Sequence, residues 1–98
     1  MSDASLSWRD ESVPRIAAGV TSQSASDAVV VLRLESGRYF SLDGAGRLIW
    51  QLCDGEHTVA EIVDTVSAAY GTDRATVRAD TIELLDDLSA EGLVHDTR

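Results

Sequence analysis

The sequence predicts an α+β domain of winged helix-turn-helix type, in which a three-stranded antiparallel sheet is followed by three helices. Three observations support this. The valine-rich run AVVVLRL at 28–34 is followed, after a short glycine-containing turn, by a second extended run at 38–42, the pattern of a β-hairpin. Beyond residue 43 the apolar spacing changes from a period of two to one of about 3.6, in segments punctuated by Asp54-Gly55 and Gly71. The length, 98 residues, leaves room for one domain with one modest core.

Taken in order, residues 1–12 are small and polar and read as a flexible N-terminal tail, leaving 13–98 as the domain. Trp8 is the one large apolar residue of its kind in that tail, expected either to fold back over the sheet or to stay exposed. Residues 13–21 alternate weakly as a first strand, with Pro14 near its start, where a missing N–H is tolerated. Residues 22–27 read as a loop. Residues 28–34 form the central strand, Glu35-Ser36-Gly37 the turn, and 38–42 the edge strand. Asp43 stands where a helix N-cap is wanted, and residues 45–53 are apolar on nearly all sides, so this first helix must be sandwiched. Thr58-Val59-Ala60-Glu61 matches a capping box for a second helix, which runs to Tyr70 with Val59, Ile62, Val63, Val66 and Tyr70 on one stripe and ends at Gly71.

The third helix begins near Asp73 and ends before Gly92. At 100° per residue, Val77, Thr81, Leu84, Leu85 and Leu88 share roughly 100° of arc, an ordinary core stripe. Ile82 falls outside it, near Arg78. One reading has Ile82 packed beneath the sheet or a loop; the other has it lining a groove between this helix and the edge strand, flanked by Arg74 and Arg78.

Composition narrows the function classes. Seventeen carboxylates face eight arginines and no lysine, a net charge of −9, so the averaged field repels phosphate backbones and anionic lipid surfaces. A DNA-binding winged helix concentrates basic residues on its third helix; here Arg74 and Arg78 are outnumbered by Asp73, Asp80, Glu83, Asp86, Asp87 and Glu91. No apolar run approaches a membrane span, and MSDASLSWRD lacks the pattern of a signal peptide. A cytoplasmic protein with no nucleic-acid or membrane partner is therefore expected. Catalysis is not expected either. One cysteine, Cys53, and two histidines, His57 and His95, form no triad, no metal-ligand spacing and no disulfide, and DGAG at 43–46 reads as a helix start, not a phosphate loop.

With Gly37, Tyr39, Phe40 and Leu42 at the strand end, Trp50, Leu52 and Asp54-Gly55 at the first helix exit, Thr58-Val59 with Glu61-Ile62, and Asp80, Leu84-Leu85, Leu88 and Gly92-Leu93-Val94, the chain resembles the PqqD-like family over about residues 13–95. These are small peptide-binding modules, also called RiPP recognition elements, that hold the leader of a ribosomally synthesised precursor peptide for a modifying enzyme. Many members carry Asn where this chain has Asp43, though either residue caps a helix. The resemblance implies a leader bound as an added strand on Arg38, Tyr39, Phe40, Ser41 and Leu42, in a cleft against Arg74, Val77, Arg78, Thr81, Ile82 and Leu85 of the third helix. It implies no cofactor and no metal. The implied partners are the precursor peptide and either a leader peptidase and cyclase, as in lasso-peptide biosynthesis, or a radical SAM enzyme, as in quinone-cofactor pathways. The hairpin RLESGRYFSLDGAG favours the lasso type, whereas LCDG followed by TVAEI looks equally like the quinone-cofactor type. An acidic winged-helix interaction domain and a transcription factor are the alternatives from other classes. Strand alternation puts Arg38, Phe40 and Leu42 on one face and Tyr39 and Ser41 on the other, and leaves open which face meets the helix.

Overall fold

The structure, a computed structural model, describes residues 8–97; residues 1–7 of the expected tail, and Arg98, lie outside the described residues. The elements run β1 (Pro14–Ile16), β2 (Val20–Ala25), β3 (Ala28–Arg33), β4 (Tyr39–Asp43), α1 (Gly44–Gln51), α2 (Val59–Tyr70), α3 (Arg74–Ala90) and β5 (Val94–Asp96). The predicted class holds: a three-stranded antiparallel sheet of order β2-β3-β4 precedes three helices. A two-stranded ribbon, β1 with β5, was not expected.

The first strand differs from its prediction. Residues 13–21 divide into β1, which pairs with β5 at the far end of the chain, and the start of β2. Residues 22–25, expected in a loop, continue β2, paired with β3 through a turn in which Ser26 has φ 60°. Its sequence, VTSQSA, carries almost no apolar signal because it is an exposed edge, held in the sheet by pairing with Val29–Val31.

Val29 and Val31 on one face of β3 are buried, and across the ladder they meet Leu42 and Phe40. Ile49 and Trp50 of α1, Val59, Ile62, Val63 and Val66 of α2, and Val77, Leu85 and Leu88 of α3 complete one core with them. Tyr70, placed on the α2 stripe by periodicity, is half exposed, because the last turn runs past the edge of the core. Asp43 occupies the N-cap position of α1, but its side chain makes no cap hydrogen bond. The start of that helix is set instead by the pairing of Asp43 with Ala28 and by Gly44 at φ 54°.

Residues 8–12 correct the tail assignment. Trp8 is 6% exposed and belongs to the core, its indole N–H donating to Ser89 Oγ at 3.4 Å. The segment also completes the start of α2. Thr58 Oγ1 accepts from Glu61 N at 3.1 Å and Glu61 Oε1 from Thr58 N at 2.8 Å, the expected capping box. The two donors between them go to the N-terminal segment: Val59 N to the Ser12 carbonyl at 2.8 Å and Ala60 N to the Asp10 carbonyl at 3.0 Å. No first-turn amide of α2 is left unsatisfied.

The turn between α1 and α2 is held by one carboxylate. Asp54 accepts from Glu56 N at 2.9 Å, from His57 N at 3.2 Å and from His57 Nδ1 at 2.9 Å. The hydrogen bond to Asp54 raises the His57 pKa, with the charges of Asp54, Glu61 and Glu56 acting in the same direction. For Asp54, burial acts to raise its pKa, but the His57 side-chain bond and the two backbone donors outweigh it, and the net shift is downward. A raised histidine contributes stability that is complete below its unfolded pKa of about 6.5 and is lost as pH rises through the folded value. A lowered carboxylate contributes stability that is present above its unfolded pKa of about 3.9 and is lost as pH falls through the folded value. The turn is therefore held best in mildly acidic solution. Both groups are well exposed, so the effect is small. The urea midpoint of the wild type is expected to fall slightly between pH 6 and pH 8, and that of Asp54→Asn to stay level; equal slopes would show that the pair adds nothing.

Candidate peptide-binding groove

β4 is an edge strand, paired only with β3. Arg33 N donates to the Arg38 carbonyl at 2.9 Å, and the register places Phe40 opposite Val31 and Leu42 opposite Val29. In an antiparallel ladder the N–H and C=O of one residue point the same way and successive residues alternate. The polar backbone of Arg38, Phe40 and Leu42 therefore turns inward to β3. That of Tyr39 and Ser41 turns outward, toward the space where another strand would lie.

The side chains divide into the same two sets. Phe40 and Leu42 are half buried and pack on the core, whereas Tyr39 is 72% exposed on the far face. The face of β4 that looks toward α3 is thus the one carrying Arg38, Phe40 and Leu42. Between this face and α3 runs a trough of about 420 Å³, lined by Phe40, Ser41 and Leu42 on one side and Leu84, Asp87, Leu88, Ala90 and Glu91 on the other. At one end Leu42 and Leu84 approach each other over Gly46, whose missing Cβ would touch both at 3.8 Å. At the other end Arg38 reaches across to Glu91, with an ion pair of 2.9 Å, its guanidinium also lying 5.3 Å from the centre of the Phe40 ring. Past this pair a second hollow of about 240 Å³ continues along Arg33, Ser36, Ser89 and Gly92.

Of the predicted site residues, Arg38, just before β4, and Tyr39 to Leu42 on it lie along this trough or its edge. The six on α3 do not. Val77, Thr81 and Leu85 are buried in the core and do not line the trough. Arg74 pairs with Asp64 of α2 at 2.6 Å, and Arg78 with Asp10 of the N-terminal segment at 2.7 Å. Ile82 is half buried against the core, on the stripe that joins Arg78 to Ser89, both of which are held by the N-terminal segment. Around the helix axis it lies about 160° from Leu84. The helix wall of the trough is built from the second half of α3, where Leu84 and Leu88, expected on the core stripe, also line the trough. The available signal was the adjacent pair of i,i+4 rows, Leu84 with Leu88 and Asp87 with Glu91, which places an apolar row beside an acidic one.

Among the described residues there is no group of three or more His, Cys, Asp or Glu side chains arranged to hold a metal, and no helix long and apolar enough to cross a membrane. Cys53 is buried, and burial, helped by the charge of Asp54, pushes its thiol pKa up to about 12, far from a reactive thiolate. The trough offers backbone hydrogen bonds, an apolar floor and an ion pair, which are the means of binding an extended chain.

Residues 28–94 match the family of coenzyme PQQ synthesis protein D (PqqD). Over 50 residues the chain is 46% identical to the PqqA binding protein of Rhodopseudomonas palustris (strain HaA2); the matched stretch is 51% of this chain and spans about half, 49%, of that relative. The fold is similar to TbiB1 in complex with the TbiA(beta) leader peptide, with TM-score 0.77 and 38% identity, covering 83% of this chain and 94% of that one. It is also similar to the solution structure of the PqqD truncation of Methylobacterium extorquens PqqCD, a functional, stand-alone RiPP recognition element, with TM-score 0.78 and 26% identity over 95% and 99% of the two chains.

Proposed function

This chain belongs to the PqqD family, and from that membership we propose that it binds the leader of a ribosomally synthesised precursor peptide by strand addition and presents it to partner modifying enzymes. It acts by binding and not by catalysis, in the cytoplasm. The observation that carries this reading is the outward-turned backbone of Tyr39 and Ser41 beside the trough between β4 and α3. An added strand would satisfy those backbone groups, and its alternate side chains would enter the trough against Phe40, Leu42, Leu84 and Leu88. The peptide site accordingly comprises Arg38 to Leu42 and the second half of α3.

The short β3–β4 hairpin favours a lasso-peptide pathway, in which a leader peptidase and a cyclase are the partners. The identity to a PqqA binding protein favours a second reading, a quinone-cofactor pathway with a radical SAM enzyme. Calorimetry with synthetic PqqA, the TbiA(beta) leader and the precursor leader encoded beside the gene tests both. One of them is expected to bind with a micromolar or lower dissociation constant, about −8 kcal/mol, and to shift the amides of Tyr39, Ser41 and Leu84 to Glu91. No heat from any of the three, with those amides unmoved, overturns the proposal.

A further inference from the structure

The ion pair across the trough carries information about what the leader must contain. Because the backbone of Tyr39 and Ser41 turns outward, a strand added antiparallel to β4 would place its residues opposite Arg38, Phe40 and Leu42 in non-hydrogen-bonded pairs. Such pairs bring Cα atoms to about 4.5 Å, with both side chains on the same face. Antiparallel addition continues the sense of β2, β3 and β4 and is the commoner pairing. Side chains opposite Leu42 and Phe40 then meet the apolar part of the trough, with Leu84 and Leu88 as its far wall. The side chain opposite Arg38 meets something different.

There the lining carries two arginines, each paired with an exposed or half-exposed carboxylate of this chain. Arg33 and Arg38 are neighbours across the β3–β4 ladder, and both line the second hollow. Their present partners are held weakly: Glu35 is 81% exposed on the hairpin turn, and Arg38 is itself 62% exposed in its pair with Glu91. Glu91 is also the C-cap of α3, at the negative end of the helix dipole, where a carboxylate is disfavoured. Arg74 and Arg78 are engaged elsewhere, with Asp64 and Asp10. Resting on the leader-binding function proposed above, we infer that the leader side chain opposite Arg38 is a carboxylate that takes this arginine over from Glu91, so that the recognised strand reads apolar-x-apolar-x-acidic from N- to C-terminus. In a chain of net charge −9, this contact fixes register and orientation more than it adds attraction.

A display library of random linear peptides, panned against the full chain and against Arg38→Glu, tests this. Binders that shift the Tyr39 and Ser41 amides are expected to align on the apolar-x-apolar-x-acidic pattern, and panning on Arg38→Glu is expected to replace the acidic residue by a basic one. Freeing the arginine with Glu91→Gln is expected to tighten an acidic binder about two- to fivefold, as an exposed ion pair of this kind allows, and to leave its amide counterpart unchanged. Binders that shift the β4 amides but show no charge preference, or no exchange in Arg38→Glu, overturn this inference and leave the proposed function standing. If no binder shifts the β4 amides, this inference falls, and the leader calorimetry above decides the proposed function by itself.

Discussion

Tyr39→Pro is expected to leave a folded protein that no longer holds its leader, whereas Phe40→Pro is expected to lose the fold. The two residues are adjacent, and only the direction of their N–H groups separates the outcomes. Tyr39 turns its amide away from β3, so proline there removes no ladder bond; it removes a donor to the incoming strand and puts a ring in its path. One lost backbone bond and its unpaired acceptor cost about 2–3 kcal/mol, a loss of affinity of roughly 30- to 150-fold. Phe40 turns its amide toward Val31, and its ring packs on the core. Losing both costs about 4 kcal/mol, much of the stability of a domain this size. Circular dichroism and calorimetry on each variant decide the matter. If Tyr39→Pro binds leader as the wild type does, strand addition at this edge is wrong.

Trp8→Ala should destabilise the protein by about 3 kcal/mol, the usual cost of emptying a buried aromatic site, and lower the melting temperature by roughly 15 °C. The indole is 6% exposed and fills the flank of α3 near Ser89. Its loss also loosens the segment whose carbonyls cap Val59 and Ala60. Thermal melts of the single variant and of a chain starting at residue 13 measure the two contributions, and a shift of only a degree or two would show that the segment is not part of the fold.

Local chemistry made much of the fold legible. The capping box at Thr58 and Glu61, the glycine closing α2 and the valine-rich β3 each depend on residues within a few positions, and each stands where it was read. What was missed depends on distant partners. β1 is three residues long and exists because β5 pairs with it; β2 is a polar edge that only its neighbour makes a strand. The candidate site divides in the same way. The strand side of the proposed groove was readable as an edge strand because a strand that closes a hairpin announces itself. The helix wall was placed one face away, on Arg74, Arg78 and Ile82, because nothing local says that Asp10 and Trp8 occupy that flank. Charge spacing on α3 could not distinguish arginines held by the protein's own carboxylates from arginines left for a ligand.

The β1–β5 ribbon sets Pro14 opposite Asp96, with Thr97 N donating to the Val13 carbonyl at 3.0 Å and Val13 N to Asp96 Oδ1 at 3.0 Å. The first and last strands of the described chain therefore lie side by side, and residues 8–12 run on from that ribbon to pack against α2 and α3. Such an arrangement lets a whole domain be spliced into a surface loop of a host protein without stretching either, and lets the chain be permuted circularly. A permutant joined from Thr97 to Trp8 by a linker that leaves residues 8–12 on α2 and α3, and reopened at Ser26-Asp27, would keep the order β3-β4 and all three helices uninterrupted. It would carry the groove intact on a chain whose first strand is the valine-rich one.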